Sequence, residues 1–426
     1  MIILKLSIKL SKLLAVYKIG MKKLIFFYLF PLIISLYFTY LFAINPFVNK
    51  ILFGIKPYIP MTNPYFNYIP NYDEKIEYEK QFLSSNDTSE SIFLLGSSEL
   101  TNNTSGIPYN FISNHFTTKI KAVGHAGNQC FSIYSQLLAN FEKLKNAPIV
   151  ILLSPSWFEH KYATGTSSQA FLEYNSERYI KNIYLNNSDE SFKDYESYRI
   201  SLLNSDFINP SLPLKLLNFK KDTSKNFFLS LYYRPIDEVQ KILMRIKLHI
   251  VVPDYKTPSL KIPDSRKEIT SDLLNINWDS LENVSNKETL AKATNNNWGI
   301  NNIYYTKYIK GRTYYIEPVI EPVDSENNQE YKDFIMLLKL LKEGNANASF
   351  IIMPLNPYFY TNLKELTPTI NSLQNELNIY HYKSLNLWVD DSTKYDKGLL
   401  VDVMHLSDFA WYKVDKFIVD NYHLNK

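Results

Sequence analysis

Five short apolar runs recur along the chain: Ile92 to Leu95, Ile120 to Val123, Ile149 to Leu153, Phe350 to Met353 and Leu385 to Val389. They are separated by segments with helical periodicity. Strands that are apolar without alternation are buried on both faces, and strands interleaved with helices specify a parallel sheet with a helical layer on each side. The fold class expected is therefore α/β. Between the third and fourth runs, residues of about 160–330 are rich in Asn, Ser, Lys and Tyr. They read as an inserted helical cap, with one amphipathic helix that places Ile236, Val239, Ile242, Leu243 and Ile246 on one face. Tyr331 to Leu341 forms a further helix with Phe334, Leu337, Leu338 and Leu341 turned inward. A last helix starts near Phe409, with Ser407 or Asp408 as its N-cap.

Ahead of this region, residues 24–44 (LIFFYLFPLIISLYFTYLFAI) carry no charge, enough to cross a hydrocarbon core of about 30 Å as a helix. Pro31 kinks it, which a membrane helix tolerates. The formal charge of the chain is +4, and the lysines at 5, 9, 12, 18, 22 and 23 account for all of that excess. The first acidic residue after the run is Asp73. The positive-inside rule then makes 1–23 a cytoplasmic basic N-terminus, 24–44 a single transmembrane helix and the remainder extracytoplasmic. A cleaved signal peptide fits less well, because the apolar core is long and no A-x-A-like site follows. Residues 1–20 read either as an amphipathic basic extension or as sequence upstream of a start at Met21. Prolines at 46, 57, 60, 64 and 70 among aromatic residues mark 45–90 as an extended stalk, and the domain proper is expected over 91–426. With the net positive excess confined to the N-terminus, nothing favours nucleic acid as a partner. Cys130 is the one cysteine, which excludes an intramolecular disulfide and a cysteine-based zinc site.

The residues able to do chemistry cluster at strand ends. The first strand runs into Gly96-Ser97-Ser98-Glu99-Leu100. Such a turn puts a serine hydroxyl and fresh backbone N–H groups at the carboxyl edge of the sheet, where open α/β sheets bind ligands; a helix cap is the alternative use of those serines. Asp402 and His405 supply a carboxylate and an imidazole three residues apart, side by side if the segment is a helical turn. Acidic residues are 42 of 426 and a second copy, Asp420 and His423, exists, so the spacing alone is unspecific. Placement separates the two, because Asp402 and His405 lie in the last connection of the sheet. Gly124 to Gln129 follows the second strand, where a glycine N–H can approach a substrate oxygen or simply make a turn. Ser154 to Phe158 follows the third, where serines can donate hydrogen bonds and Trp157 either walls a pocket or fills the core. No GxxxxGK[ST], GxGxxG or HExxH motif is present, and His125, His160, His249 and His381 lack metal-ligand spacing. No metal or cofactor is expected. Cys130 reads as a small buried hydrophobe.

The order of these segments resembles the SGNH (GDSL-type) hydrolase superfamily and, more narrowly, the DltD family. The carrying segments are GSSEL at 96–100, GHAGNQ at 124–129, SPSWF at 154–158, WGINNIYYTKYI at 298–309, YKDFIMLLKLL at 331–341, MPLNPYFY at 353–360 and DVMHL at 402–406; residues 162–295 match poorly. The resemblance implies a three-layer sandwich around a central parallel sheet. Ser98 becomes the nucleophile, with Ser97 in the slot of the preceding Asp, His405 the general base and Asp402 its orienting carboxylate. The N–H groups of Ser98 and Gly127 line an oxyanion hole. Ser156 stands where the superfamily has an Asn donor and DltD proteins commonly a Gln. Ser97, Asn128 and Trp157 are the candidates for the pocket wall. The activity implied is D-alanyl transfer onto teichoic acid or another envelope glycopolymer through an acyl-serine, working with a membrane-bound O-acyltransferase of the MBOAT type. Two other functions fit the same residues: a carbohydrate esterase on the same triad, and a non-catalytic scaffold for the membrane acyltransferase.

Overall fold

In a computed structural model of the chain, the described residues are 91–101, 104–175, 186–203, 276–310, 321–360 and 362–424, with residues 30, 31, 34, 35, 37, 68, 69, 182, 183, 266, 267 and 269. The chain divides into two compact units, residues 1–59 with 224–253, and residues 60–223 with 254–426. Of the first unit, residues 30, 31, 34, 35 and 37 are described; they are helical, with Phe30, Ile34 and Tyr37 exposed. Among the described residues no helix is long and apolar enough to cross a membrane. The span expected over 24–44 otherwise lies outside them, as does the helix expected around Ile236 to Ile246.

The second unit is built on a sheet of six strands, all parallel: β1 (Tyr68–Ile69), β2 (Ser91–Leu95), β3 (Lys119–Val123), β4 (Pro148–Leu153), β5 (Asn347–Ile352) and β6 (Lys383–Asn386). Their order across the sheet is β1-β3-β2-β4-β5-β6. The chain leaves β2 for β3 on one side and then crosses to β4 on the other. The connections therefore diverge at the carboxyl end of β2, and a crevice at such a switch point is where a parallel sheet presents a ligand site.

Alternate strand residues feed two cores. Ile92, Leu94, Ile120, Ala122, Val150, Leu152 and Ile351 join one cluster with α1 (Pro108–His115), α5 (Trp278–Ala291) and α8 (Asp408–Tyr422). Their neighbours point the other way. There Phe350 meets Phe334 of α6 (Gln329–Glu343), centroids 6.2 Å apart, and α6 packs on α2 (Cys130–Leu138). Helix α7 (Thr367–Ile379) leads into β6. The result is helix, sheet, helix. Phe334, Leu337, Leu338 and Leu341 are fully buried, as the periodicity of α6 requires.

Two expectations need correction. Tyr68–Ile69 lies inside the segment expected to be stalk, yet it pairs with Ala122 and Val123 as an edge strand. The interval 160–330 is also more than a cap. Its helices α3 (Ser168–Tyr174) and α4 (Glu190–Leu203) pack on α2, whereas α5 packs on α8 in the opposite layer and buries Leu281 in that core.

Helix α4 is locked by polar bonds. Arg199 donates from Nε and Nη2 to Asp333 of α6 at 2.7 and 2.9 Å, and its guanidinium lies 4.8 Å from the Phe131 ring centroid. Tyr195 donates to the same carboxylate at 2.6 Å, and Ser135 of α2 donates to Glu196 at 2.6 Å. Both members of the Arg199–Asp333 pair are buried. Removing one charge leaves the other stranded, so Arg199→Ala is expected to lower unfolding free energy by about 3–5 kcal/mol, measured by urea denaturation. A loss under about 1 kcal/mol would show that the pair does not hold α4 to the sheet layer.

Candidate active site

The site begins where β2 and β3 end side by side. A Cβ added at Gly124 would sit 2.0 Å from the Gly96 carbonyl oxygen, so only a glycine permits this approach. Asn128 then bridges the loops, donating from Nδ2 to the same Gly96 oxygen at 2.8 Å and accepting at Oδ1 from Gln136 at 2.8 Å. Ser97 donates from Oγ to the His125 carbonyl at 3.0 Å, and its N–H donates to Glu99 Oε1 at 2.6 Å. Ser98 starts a short 3-10 turn, Ser98–Thr101, with its side chain partly exposed.

His405 arrives from the other end of the chain. Residues 399–407 form a tight hairpin: Ser407 N donates to Leu399 O and Val401 N to His405 O, both at 2.9 Å. Within it Asp402 Oδ1 accepts the N–H groups of Met404 and His405 at 2.9 and 2.8 Å. The three-residue spacing thus works through an Asx-type turn rather than the helical turn expected, and one carboxylate oxygen shapes the backbone while the other faces the ring. Asp402 Oδ2 lies 2.6 Å from His405 Nδ1, and His405 Nε2 lies 3.1 Å from Ser98 Oγ. With Nδ1 carrying the proton toward Asp402, Nε2 is left as the acceptor for the serine hydroxyl.

The other expected residues divide. Gly127 sits at φ +88°, and a Cβ there would come within 2.7 Å of Ala170 Cβ on α3, so both its backbone conformation and its packing demand glycine. Among the described residues no acceptor takes the N–H of Ser98 or of Gly127. Ser156 opens the turn after β4 with Oγ 2.9 Å from Ser154 Oγ. Ser97 and Asn128, expected on the pocket wall, instead use their side chains to tie backbone together, and Asn128 is wholly buried. Trp157 is 6% exposed and belongs to the core side of that turn. Ser407 is the N-cap residue of α8, as expected, but its hydroxyl donates to Gly398 O and caps no N–H of the helix, and the Asp408 carboxylate accepts from Gly106 N and Arg266. The rival pair, Asp420 and His423, ends α8, where His423 takes a left-handed conformation at φ +51°. Cys130 is buried, and burial with the nearby Glu330 carboxyl pushes its thiol well above the ordinary value. It is inert by that criterion. A cavity of about 490 Å³ abuts Asp402, bounded also by Arg266, Lys292, Tyr304, Lys307 and Tyr308. Among the described residues no group of His, Cys, Asp and Glu is arranged to hold a metal ion.

The family model described as DltD protein matches residues 68–423, from β1 through the end of α8. The chain belongs to the DltD family. It is 23% identical over 361 residues to Protein DltD of Bacillus subtilis (strain 168), covering 78% of this chain and 82% of that protein. To Protein DltD of Staphylococcus aureus (strain NCTC 8325 / PS 47) it is 20% identical over 336 residues, 76% of this chain and 79% of that one. The family match thus takes in Ser98, Gly127, Asp402 and His405 alike.

Electrostatics set the state of the imidazole. Burial pulls His405 down, but the hydrogen bond and charge of Asp402, aided by Glu99, outweigh it and hold the ring above the ordinary value of 6.5. A raised folded value means that the charged ring stabilises the fold below about 6.5, and this contribution fades as pH rises through the folded value. An NMR titration should find His405 with a midpoint above 6.5 and a lower one in Asp402→Asn, where Glu99 alone is left to oppose burial. A wild-type midpoint below 6.5 would contradict this balance.

Proposed function

We propose that this DltD-family chain is an acyltransferase of teichoic acid D-alanylation and that Ser98 carries the acyl group, in the manner of an SGNH-type hydrolase. The observation that carries the reading is the continuous hydrogen-bond chain from Asp402 through His405 to Ser98, assembled at the switch point of the sheet by segments some three hundred residues apart. His405 Nε2 takes the Ser98 proton as Oγ forms a bond to the carbonyl carbon of a D-alanyl ester or thioester. The oxyanion is met by the N–H groups of Ser98 and Gly127, with Ser156 as the third donor. A preorganised donor of this kind is worth about 2.7–4 kcal/mol of barrier. The tetrahedral intermediate collapses by breaking the bond to the leaving oxygen or sulfur, which takes the proton back from His405. A polymer hydroxyl, deprotonated by the same imidazole, then attacks the acyl-serine and regenerates Ser98.

Transfer rather than hydrolysis requires that water be kept from the ester. We assign that role to the 160–330 region and to a membrane-bound O-acyltransferase partner of the MBOAT type. Residues 24–44 anchor the chain, 45–67 act as stalk ahead of β1, and the domain works outside the cytoplasm against an envelope glycopolymer. Asp402, through the turn it caps, is the group that fixes the imidazole tautomer.

A serine-reactive phosphonate should label the wild-type protein, and peptide mapping should find the label on Ser98. Labelling is expected to disappear in Ser98→Ala and to slow by about 10³-fold or more in His405→Ala. Neither variant should restore D-alanylation to a deletion strain. Full complementation by both would overturn the enzymatic reading and leave the scaffold function instead.

A further inference from the structure

Glu99 follows Ser98 directly and stands outside the hydrogen-bond chain of Asp402, His405 and Ser98. Its side chain folds back under the turn so that Oε1 accepts the N–H of Ser97 at 2.6 Å, and it is 4% exposed. A Cβ at Gly96 would come within 2.6 Å of that oxygen, so the strand end closes over the carboxylate. The bond removes the Ser97 N–H from the donors open to a ligand, and it fixes the backbone on the N-terminal side of Ser98.

The same carboxylate acts on the imidazole. The groups bearing on His405 are Asp402 on its own turn, with Oδ2 2.6 Å from Nδ1, the Ser98 hydroxyl 3.1 Å from Nε2, and Glu99. Tyr395 lies near Asp402 but is buried, with its phenol pushed far above the ordinary value, and it stays neutral. Burial raises the Glu99 carboxyl, opposed by the N–H groups of Ser97 and of Glu99 itself and by the charge of His405.

We propose that Glu99 is a positioning residue of this site: its carboxylate clamps the Ser97 N–H to set the turn that aims Ser98, and it adds a second negative charge to the surroundings of His405. The inference rests on the reading of Ser98 and His405 as nucleophile and base. It differs from a purely structural role in that the charge, apart from the hydrogen bond, matters to the imidazole.

The test compares wild type, Glu99→Gln and Glu99→Asp in the full chain by two measurements. One is NMR titration of histidine ring carbons, with His405 identified by the signal lost in His405→Gln; the other is the pH profile of phosphonate labelling at Ser98. Glu99→Gln keeps an acceptor for Ser97 and removes the charge. Its His405 midpoint and the acid limb of labelling should both move to lower pH by roughly half to one unit, with the labelling plateau within about threefold of wild type. Glu99→Asp keeps the charge and shortens the reach. Its midpoint should stay raised while the plateau falls by about tenfold or more. A Glu99→Gln midpoint equal to wild type would overturn the proposal. If that variant does not fold, Glu99→Asp decides: a full labelling plateau overturns the clamp. Failure of wild type to label at Ser98 would instead defeat the proposed function, while the NMR midpoints would still judge Glu99.

Discussion

The carboxyl ends of β2 and β3 approach so closely that the Gly96 carbonyl occupies the space a side chain at position 124 would need. That contact sets the two loops that follow. Asn128 takes up the Gly96 oxygen, and Ser97 takes up the His125 carbonyl, so both backbones are tied to each other independently of any ligand. A site assembled this way holds its geometry through buried hydrogen bonds rather than through loop contacts at the surface. Ser98 is the first residue after the knot and is left partly exposed. Gly127 takes a positive φ beside Ala170, where a Cβ would not fit. The insertion therefore bears on the site from behind, since Ala170 belongs to α3 and α4 is pinned to α6 through Arg199 and Asp333.

Opposite this knot, the hairpin of residues 399–407 presents the imidazole. Asp402 uses one oxygen to fold its own turn and the other to hold the ring. Orientation of the ring and of its carboxylate are consequently one property, not two. Asp420 and His423 share the spacing but end a helix in a left-handed residue, so the pairing of carboxylate and ring at Asp402 and His405 comes from the turn and not from the interval between the residues.

Much of this was legible in the chain because fully buried strands leave an unbroken apolar signature. The runs at 92–95, 149–153 and 350–353 correspond to β2, β4 and β5 within a few residues. The edges were harder. β6 spans Lys383–Asn386, earlier than the apolar run 385–389 suggests, because it is an edge strand with half-exposed side chains. β1 is two residues long and leaves no periodicity at all. Serine, glycine and Asp-x-x-His could be singled out because strand ends in a parallel sheet are few. The division of labour at the first turn comes from the family resemblance, which makes Ser98 the nucleophile, and not from the residue pattern itself. Whether Ser97 or Ser98 faces the imidazole depends on which hydroxyl the His125 carbonyl takes, a tertiary contact. Glu99 was visible as an acid beside the serine, but its return to the Ser97 N–H is a feature of the folded turn. The interval 160–330 was misjudged as a cap because its Asn- and Ser-rich composition hides the apolar face of α5, which contributes Leu281 to the main core.

The most direct measurement of the central claim is peptide mapping by mass spectrometry of protein taken by acid quench from cells that are actively acylating their envelope. The account predicts a hydroxylamine-labile ester on Ser98, with a mass that identifies one alanyl group, and its absence from His405→Ala. An acyl group on a different residue, or an unmodified Ser98 when turnover is blocked at the acceptor step, would contradict it.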